Sequence, residues 1–241
     1  ALYLAYTLNS VSILMLIVLA VLFFPGPLGG RGAPDHQTFD YPARGLDVAD
    51  IYLNLGVGRL ETYPLEDSGM LFEADVSYNS ARTQVTSDVD VVDNEATVRL
   101  ETMSVGGWTP FGDQGDMVWE VRVNPDVPLV LQVEGGVNRT SLDLDGMTLE
   151  EVRLNIGVGQ AELVLSEKAP YRVEIEGGVG SLQLRIPPQV EARIRVDGGL
   201  ASVDLDRRFQ RRGEHYVTEG YQEGEGIEVE INGGVGSIDV E

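Results

Sequence analysis

The side chains that most often carry enzyme chemistry are scarce in this sequence of 241 residues. It contains no cysteine, which excludes thiol nucleophiles, thiolate metal sites and disulfide bonds. Its two histidines, His36 and His215, are too few for most zinc sites and for most sites that use an imidazole base. Carboxylates are abundant, but their spacing marks no catalytic pair. The sequence therefore predicts no catalytic residue, no metal site and no cofactor.

The charge of the chain restricts the class of partner. Seventeen basic residues against 39 acidic residues give a net charge of −22. Nucleic acid is excluded as a partner, because extended contact with phosphates requires a basic face.

One basic cluster contrasts with this acidic background. It lies in residues 206–226, an insertion in the repeat described below, and contains Arg207, Arg208, Phe209, Arg211, Arg212 and Tyr216. Arginine and tyrosine are enriched at binding interfaces, so one interpretation is a protruding hairpin that contacts an acidic partner or lipid headgroups. The alternative is a solvated hairpin whose arginines neutralise neighbouring carboxylates.

Two aromatic residues form a second candidate contact. Trp108 and Phe111 lie in the glycine-rich segment 104–117. An exposed tryptophan in such a loop indicates a contact site. Alternatively, the rings pack over the end or side of the domain as a plug, since tryptophan is highly buried on average.

A sequence repeat predicts the framework that positions these residues. A glycine motif recurs every 21 residues, with a shared glycine at Gly136, Gly157, Gly178 and Gly199, and further copies lie at 54–57 and 232–235. Apolar and polar residues alternate on both sides of the motif, as in 173–176 and 182–186, which predicts strands with one buried face. We therefore predict an all-β fold, a stacked β-solenoid-like repeat domain with a period of about 21 residues. Each coil is expected to contain a strand, a glycine corner, a second strand and a turn.

Stacking of the copies leads to three expectations about individual positions. The branched residues that follow the glycines are expected in the core; they are Val137, Val158, Val179, Leu200 and Val235. The position before the glycines is acidic or amide in every copy, as in Glu134 and Asn155, which fits either a cation-binding ladder or a solvated edge. The final strand, at 237–241, is expected to leave an unpaired edge through which the chain self-associates.

The N-terminal residues predict one transmembrane α-helix. Residues 4–24 are uncharged, and a helix of this length crosses a hydrocarbon core of roughly 30 Å. No basic region precedes this segment and no small-x-small cleavage site follows it, which favours an uncleaved anchor over a signal peptide. The side chains expected to hold the anchor in lipid are Leu14, Leu16, Ile17, Leu19, Leu22, Phe23 and Phe24.

The expected organisation is therefore a transmembrane helix at 1–25, a linker at 26–47 and a β domain at 48–241 with an inserted loop at 206–226. We expect a single-pass membrane protein whose β domain is extracytoplasmic. The lipid bilayer and other integral membrane proteins are its expected partners.

Two consecutive stretches resemble a known family. Residues 119–136 (WEVRVNPDVPLVLQVEGG) and 142–159 (LDLDGMTLEEVRLNIGVG) resemble the bacterial toast-rack family, which is related to the C-terminal domain of LiaF-type cell-envelope stress proteins and to adhesin-type domains. The resemblance covers roughly residues 48–241. It implies a stacked β-solenoid-like domain, usually tied to a membrane, with no established catalytic residues.

The favoured function is that of a membrane-anchored, non-catalytic structural or interaction protein, namely an accessory subunit or scaffold of a membrane or cell-envelope complex. An envelope adhesin or a self-assembling filament unit is the alternative, since it shares the architecture and differs in the partner. A carbohydrate-active enzyme on a β-helix scaffold is a further alternative, because such enzymes place carboxylates in a groove.

Overall fold

The computed structural model describes residues 35–66, 69–80, 82–105 and 117–241, and all regular secondary structure in these ranges is β. No helix in them is long and apolar enough to cross a membrane. The predicted transmembrane helix lies outside the described residues, as do its side chains Leu14, Leu16, Ile17, Leu19, Leu22, Phe23 and Phe24. The described ranges contain thirteen strands: β1 (Asp35–Pro42), β2 (Val48–Pro64), β3 (Met70–Tyr78), β4 (Thr83–Val92), β5 (Glu95–Ser104), β6 (Val118–Val123), β7 (Leu129–Asp143), β8 (Leu149–Val164), β9 (Tyr171–Arg185), β10 (Ala192–Leu205), β11 (Gln210–Arg212), β12 (His215–Val217) and β13 (Ile227–Val240).

Six long parallel strands form the centre of the sheet, in the order β2, β7, β8, β9, β13, β10. Each of them continues through its glycine motif, so the predicted pair of strands per coil is one strand of 14 to 17 residues. The ladder skips one residue at the motif, as where Gly135 pairs with Ile156 and the next pair is Val137 with Val158. The residues that face the core therefore change at the motif. In β8, for example, they are even-numbered before it, as Leu154 is, and odd-numbered after it, as Leu163 is.

The two halves of the long strands continue into different neighbours beyond β2. The first half of β2 pairs with β5, which pairs with β4, whereas its second half pairs with β6, followed by β3 and β1. We call the ladder of first halves wall 1 and the ladder of second halves wall 2. Buried side chains from both walls belong to one hydrophobic core.

The order of the last strands differs from the order in the sequence. The C-terminal strand β13 is paired on both sides, with β9 and with β10, so the expected open edge at 237–241 is wrong. The insertion at 206–226 allows this arrangement, because it leads the chain out from β10 and back between the two earlier strands. The outermost long strand is β10, and β12 covers only Arg193–Arg195 of it.

One row of charged residues favours this order. Glu228 of β13 lies between Arg172 of β9 and Arg193 of β10, at 3.6 Å and 3.0 Å. Stacking in chain order would instead place the two arginines side by side, and like charges directly opposite each other destabilise a sheet. The neighbouring row favours chain order to the same extent, since Glu174 pairs with Glu230 here and would pair with Arg195 in chain order. Charge pairing therefore holds β13 on both sides but does not by itself select the order.

The core is filled by alternating side chains of both walls, and the expected inward position after the glycines is incorrect. Val137 is 48% exposed, and Val158 is only half-buried. The buried branched residue of that copy is Ile156, which lies before the skipped glycine. The skipped residue reverses the alternation, and the valine is therefore turned away from the core. The side chains of the other three predicted positions, Val179, Leu200 and Val235, are not described.

A second set of glycines lies two residues after the repeated glycine of the motif, on three neighbouring strands: Gly159, Gly180 and Gly236. Close contact between the strands accounts for this set. A Cβ atom on Gly180 would lie 1.9 Å from the carbonyl oxygen of Gly159, and one on Gly236 would lie 1.9 Å from that of Gly180. These distances are far inside van der Waals contact, so only glycine permits the observed spacing.

Candidate interaction surfaces

The basic cluster is divided by the fold into buried and exposed side chains. Strands β11 and β12 form a short hairpin that pairs with the outer side of β10. Phe209 is 8% exposed and belongs to the core, and Tyr216 is half-buried against it. The prediction that Phe209 is a partner contact is therefore wrong, because its ring seals the end of the core. The same prediction for Tyr216 stays a prediction.

Arg208 is occupied by the backbone of the preceding turn. Its guanidinium donates hydrogen bonds to the carbonyl oxygens of Ile186 at 2.7 Å, Pro187 at 3.1 Å and Val190 at 3.4 Å. It also lies 5.0 Å from the centre of the Phe209 ring. Burial lowers the pKa of Arg208 from its usual value, against the opposing effect of nearby carboxylates. Arg208 thus holds the insertion onto the stack and is not free for a partner.

Replacing Arg208 by Ala is expected to lower the free energy of unfolding by about 2 kcal/mol, because three carbonyl groups lose a charged donor. Arg207→Ala is the matched control, since Arg207 is exposed, and its change should stay within about 0.5 kcal/mol. Urea unfolding of the variants measures both values. Equal destabilisation by the two substitutions would show that the carbonyl contacts do not hold the insertion.

The remaining members of the cluster are exposed. Arg207, Arg211 and Arg212 all face solvent. The guanidinium of Arg211 donates to the carbonyl oxygen of Gly213 at 3.2 Å, within its own hairpin. All three belong to the insertion at the β10 end of the stack, although Arg211 and Arg212 are consecutive in β11 and so point to opposite faces of the strand. Their role as partner contacts stays a prediction.

The second candidate contact lies outside the described residues, since both Trp108 and Phe111 fall in the gap at 106–116. The strand that leads into this gap exposes apolar side chains: Met103 is 50% exposed and Val105 is 49% exposed. At the opposite end of the same β4–β5 hairpin, Val92 is 60% exposed. Sequence reasoning missed these residues, because alternation in an end strand does not show that its apolar face lacks a covering layer.

The polar position before the glycines forms a ladder of alternating amides and carboxylates. In strand order its members are Asn54, Glu134, Asn155, Glu176, Asn232 and Asp197. Tyr52 donates to Glu134 at 2.7 Å, and the amide of Asn54 lies 3.5 Å from the same carboxylate oxygen. Alternation keeps each carboxylate beside an amide donor. No group of three or more His, Asp or Glu side chains within the described ranges converges on a point that could hold a metal ion.

A small apolar cavity of about 70 Å³ lies inside the glycine corner of β8, β9 and β13. On β8 the side chain of Ile156 occupies this corner. The residues in register with Ile156 on β9 and β13 are Gly177 and Gly233, which have no side chain to occupy it. A Cβ on Gly233 would meet no atom within 4 Å. The cavity is therefore the volume of side chains that these two strands lack.

Some carboxylates of the outer face are paired with neighbouring donors. Arg122 lies 3.3 Å from Glu73, in a groove that is also lined by Tyr63, and 2.9 Å from Asp75. Near the other end of the stack, Tyr221 donates to Glu228 at 2.8 Å. These three carboxylates are therefore engaged in pairing.

Burial and the hydrogen bond to Glu228 raise the pKa of Tyr221 from 10.0 to about 12. The folded protein holds this proton more tightly than the unfolded chain does. The contact therefore stabilises the fold below pH 10 and is lost as the pH rises towards 12.

These features define an all-β protein built of stacked parallel strands, with its polar surface available for interaction. Residues 31–185 match a family model described as the N-terminal domain of toast_rack, DUF2154. The match covers more than half of the chain, and the protein belongs to the toast-rack family. The resemblance found in the sequence is thereby confirmed.

A solved structure shares this fold. A candidate cell adhesion protein from Clostridium sporogenes is 24% identical and superposes with a TM-score of 0.75, over 86% of this chain and 98% of that chain. A candidate adhesin from Bacteroides fragilis is 12% identical over 88% of this chain and 100% of that chain, with a TM-score of 0.30. The comparison with curated proteins found no match.

Proposed function

We propose that this chain is a membrane-anchored, non-catalytic interaction protein that serves as an accessory subunit or scaffold of a membrane or cell-envelope complex. The observation that supports this most is the exposure of three arginines, Arg207, Arg211 and Arg212, in one insertion at the end of a stack with an aliphatic interior. Attachment itself is proposed from the uncharged residues 4–24.

A non-catalytic role is supported by the pairing of the groups that a carbohydrate-active enzyme would use. Such enzymes need two carboxyl groups that flank a bound sugar in a groove. In the groove beside Tyr63, however, Glu73 is paired with Arg122, which also binds Asp75. Membership of the toast-rack family is in keeping with this, and the proposed partner is another envelope or membrane protein.

Solubilisation of the native membrane in mild detergent, followed by purification of this chain, tests the proposal. We expect a defined set of integral membrane subunits in fixed proportion. Reversal of Arg207, Arg211 and Arg212 to Glu is expected to release them. Reversal of three exposed strand arginines, Arg59, Arg99 and Arg139, is the matched control and should leave the complex intact.

Recovery of the chain alone, or as a ladder of homo-oligomers, would contradict the accessory role and favour the second candidate, an envelope adhesin or filament unit. The observation behind that candidate is the fold shared with the Clostridium sporogenes protein. Release of the chain from membranes by alkaline carbonate would separately contradict the proposed anchor.

A further inference from the structure

The second half of β10 lies at an end of wall 2 where, among the described residues, no further strand is paired. Its inner side pairs with β13 along its whole length, whereas β12 pairs only with Arg193–Arg195. The amide of Asp206 donates to the carbonyl oxygen of Val240. Backbone groups alternate in direction along a strand, so those of Ala201, Val203 and Leu205 point away from β13. Three amide donors and three carbonyl acceptors therefore form a row without a strand partner in the described part of the chain.

The core is also unfinished at this edge. Val203 belongs to an inward-facing column that includes Ile238, Leu182 and Leu60, which are at most 8% exposed, while Val203 is 38% exposed. At the opposite end of the column, Trp119 of β6 pairs with Leu60 and is fully buried. The ends of a stacked domain normally carry a cap. One end of wall 2 is thus closed by three further strands, and the other exposes both backbone and core.

The outer face of the same edge carries uncompensated negative charge. Asp204 and Asp239 are in register on neighbouring strands, both are exposed, and neither makes an ion pair with a described residue. Neighbouring strands lie roughly 4.8 Å apart, so the two carboxylates repel each other. A cation placed beside Asp204 by an added strand would relieve that repulsion.

We propose that the second half of β10 is a docking site for an extended, basic strand of a partner protein, which adds to wall 2 by backbone hydrogen bonds. The partner strand alternates apolar residues, which cover Val203, with Lys or Arg residues, which lie beside Asp204. Strand addition of this kind takes its affinity from the main chain and its specificity from alternate side chains. The inference rests on the proposed interaction role and assigns that role a surface and a class of partner.

A second copy of the chain fits this edge poorly. Two long described strands also have an open side: β1, which carries Asp35 and Asp40, and β4, which carries Asp88 and Asp90. Pairing either of them with β10 would bring further carboxylates towards Asp204, and each copy has a net charge of −22. The third described strand with an open side, β11, is basic but has only three residues, Gln210–Arg212, too few to cover residues 201–205. A basic strand satisfies the same hydrogen bonds while neutralising the edge.

The test uses the full chain in mild detergent and the fluorescent peptide Lys-Val-Lys-Val-Lys-Val-Lys, with binding measured by anisotropy. Val203→Pro removes an outward amide and leaves the pairing with β13 intact, and Asp204→Lys removes the charge complement. Each is expected to weaken binding at least about tenfold, the scale of one charged or backbone contact. The matched control Asp90→Lys, on open strand β4, should change binding by less than about twofold. Thermal unfolding establishes that the variants are folded.

Two further measurements make the outcome decisive even if Val203→Pro does not fold. The peptide Lys-Pro-Lys-Pro-Lys-Pro-Lys keeps the charge and cannot join a β-ladder, so it should bind much more weakly. The amides of Ala201, Val203 and Leu205 should exchange with solvent rapidly in the free chain and slowly with the valine peptide.

Equal binding of the two peptides, or equal loss in Asp90→Lys and Asp204→Lys, would overturn the proposal in favour of general attraction between opposite charges. Slow exchange of the three amides in the free chain would also overturn it. In that case the exchange rate of the amides, measured at several protein concentrations, would identify what covers the edge. A rate that depends on protein concentration would identify a second copy, and a rate that does not would identify another segment of this chain. Failure of co-purification with a complex, by contrast, would refute the accessory role and leave these binding results standing.

Discussion

Gly180→Ala is expected to destabilise the domain by about 3 kcal/mol or more, because the added methyl group has no space. Its Cβ would lie 1.9 Å from the carbonyl oxygen of Gly159 on the neighbouring strand. Relief of that overlap requires the strands β8 and β9 to move apart, and hydrogen bonds of wall 2 would lengthen with them. The free energy of unfolding in urea measures the effect.

Gly233→Ala provides the matched control in the same corner of the stack. Its Cβ would meet no atom within 4 Å and would enter the cavity beside Ile156 and Ile231. This substitution is expected to leave stability unchanged or to raise it by up to about 1 kcal/mol, since alanine also restricts the unfolded chain. Similar losses for both variants would show that the glycines serve the bend of each strand and not the close contact between strands.

The repeat made much of the fold predictable. Alternation around each glycine motif identified the long strands, and the 21-residue spacing correctly predicted which residues of β7, β8 and β9 are in register, as Val137, Val158 and Val179 are. The same pattern could not show that one residue is skipped at the motif. Because side-chain direction has a period of two, that single skip turned Val137 outwards and Ile156 inwards.

The order of the last strands was not predicted, and the charges of the strands carry no net signal for it. Chain order places Arg172 of β9 beside Arg193 of β10, which is unfavourable, but it also places Glu174 beside Arg195, which is favourable. The insertion at 206–226 was interpreted as a loop that merely protrudes. Its length also allows the chain to return between two earlier strands, which a fixed period does not reveal.

The candidate contact residues were predicted from the composition of the insertion. Composition cannot show which of two neighbouring arginines is exposed and which is bound to the rest of the protein. Arg207 and Arg208 are adjacent in the sequence, yet one is exposed and the other binds three carbonyl groups. Which of them turns inwards depends on the turn at 186–190, which is distant in the sequence. The open edge of β10 was likewise hidden, because it follows from the unpredicted position of β13.

Glu228→Lys is the substitution expected to disturb the strand order most directly. Glu228 accepts from Arg193 at 3.0 Å and from Tyr221 at 2.8 Å, and lies 3.6 Å from Arg172. Lysine at this position would create a row of three cations across β9, β13 and β10. The ion pair with Arg193 is part-buried, so we expect a loss of about 2 kcal/mol in the free energy of unfolding, between the values for exposed and for buried pairs.

Charge reversal at Glu174 separates this pairing effect from a general change in net charge. Glu174 is one row away on β9, opposite Glu230, and lies 4.0 Å from Arg153. Glu174→Lys turns the repulsion with Glu230 into an attraction and turns the attraction to Arg153 into a repulsion. Because the two changes oppose each other, the free energy of unfolding should change by no more than about 1 kcal/mol. Both variants add the same charge to an acidic protein. Comparable losses would mean that pairing does not hold β13 between β9 and β10, whereas a loss confined to Glu228→Lys identifies the Arg172–Glu228–Arg193 row as a contact that holds β13 in place.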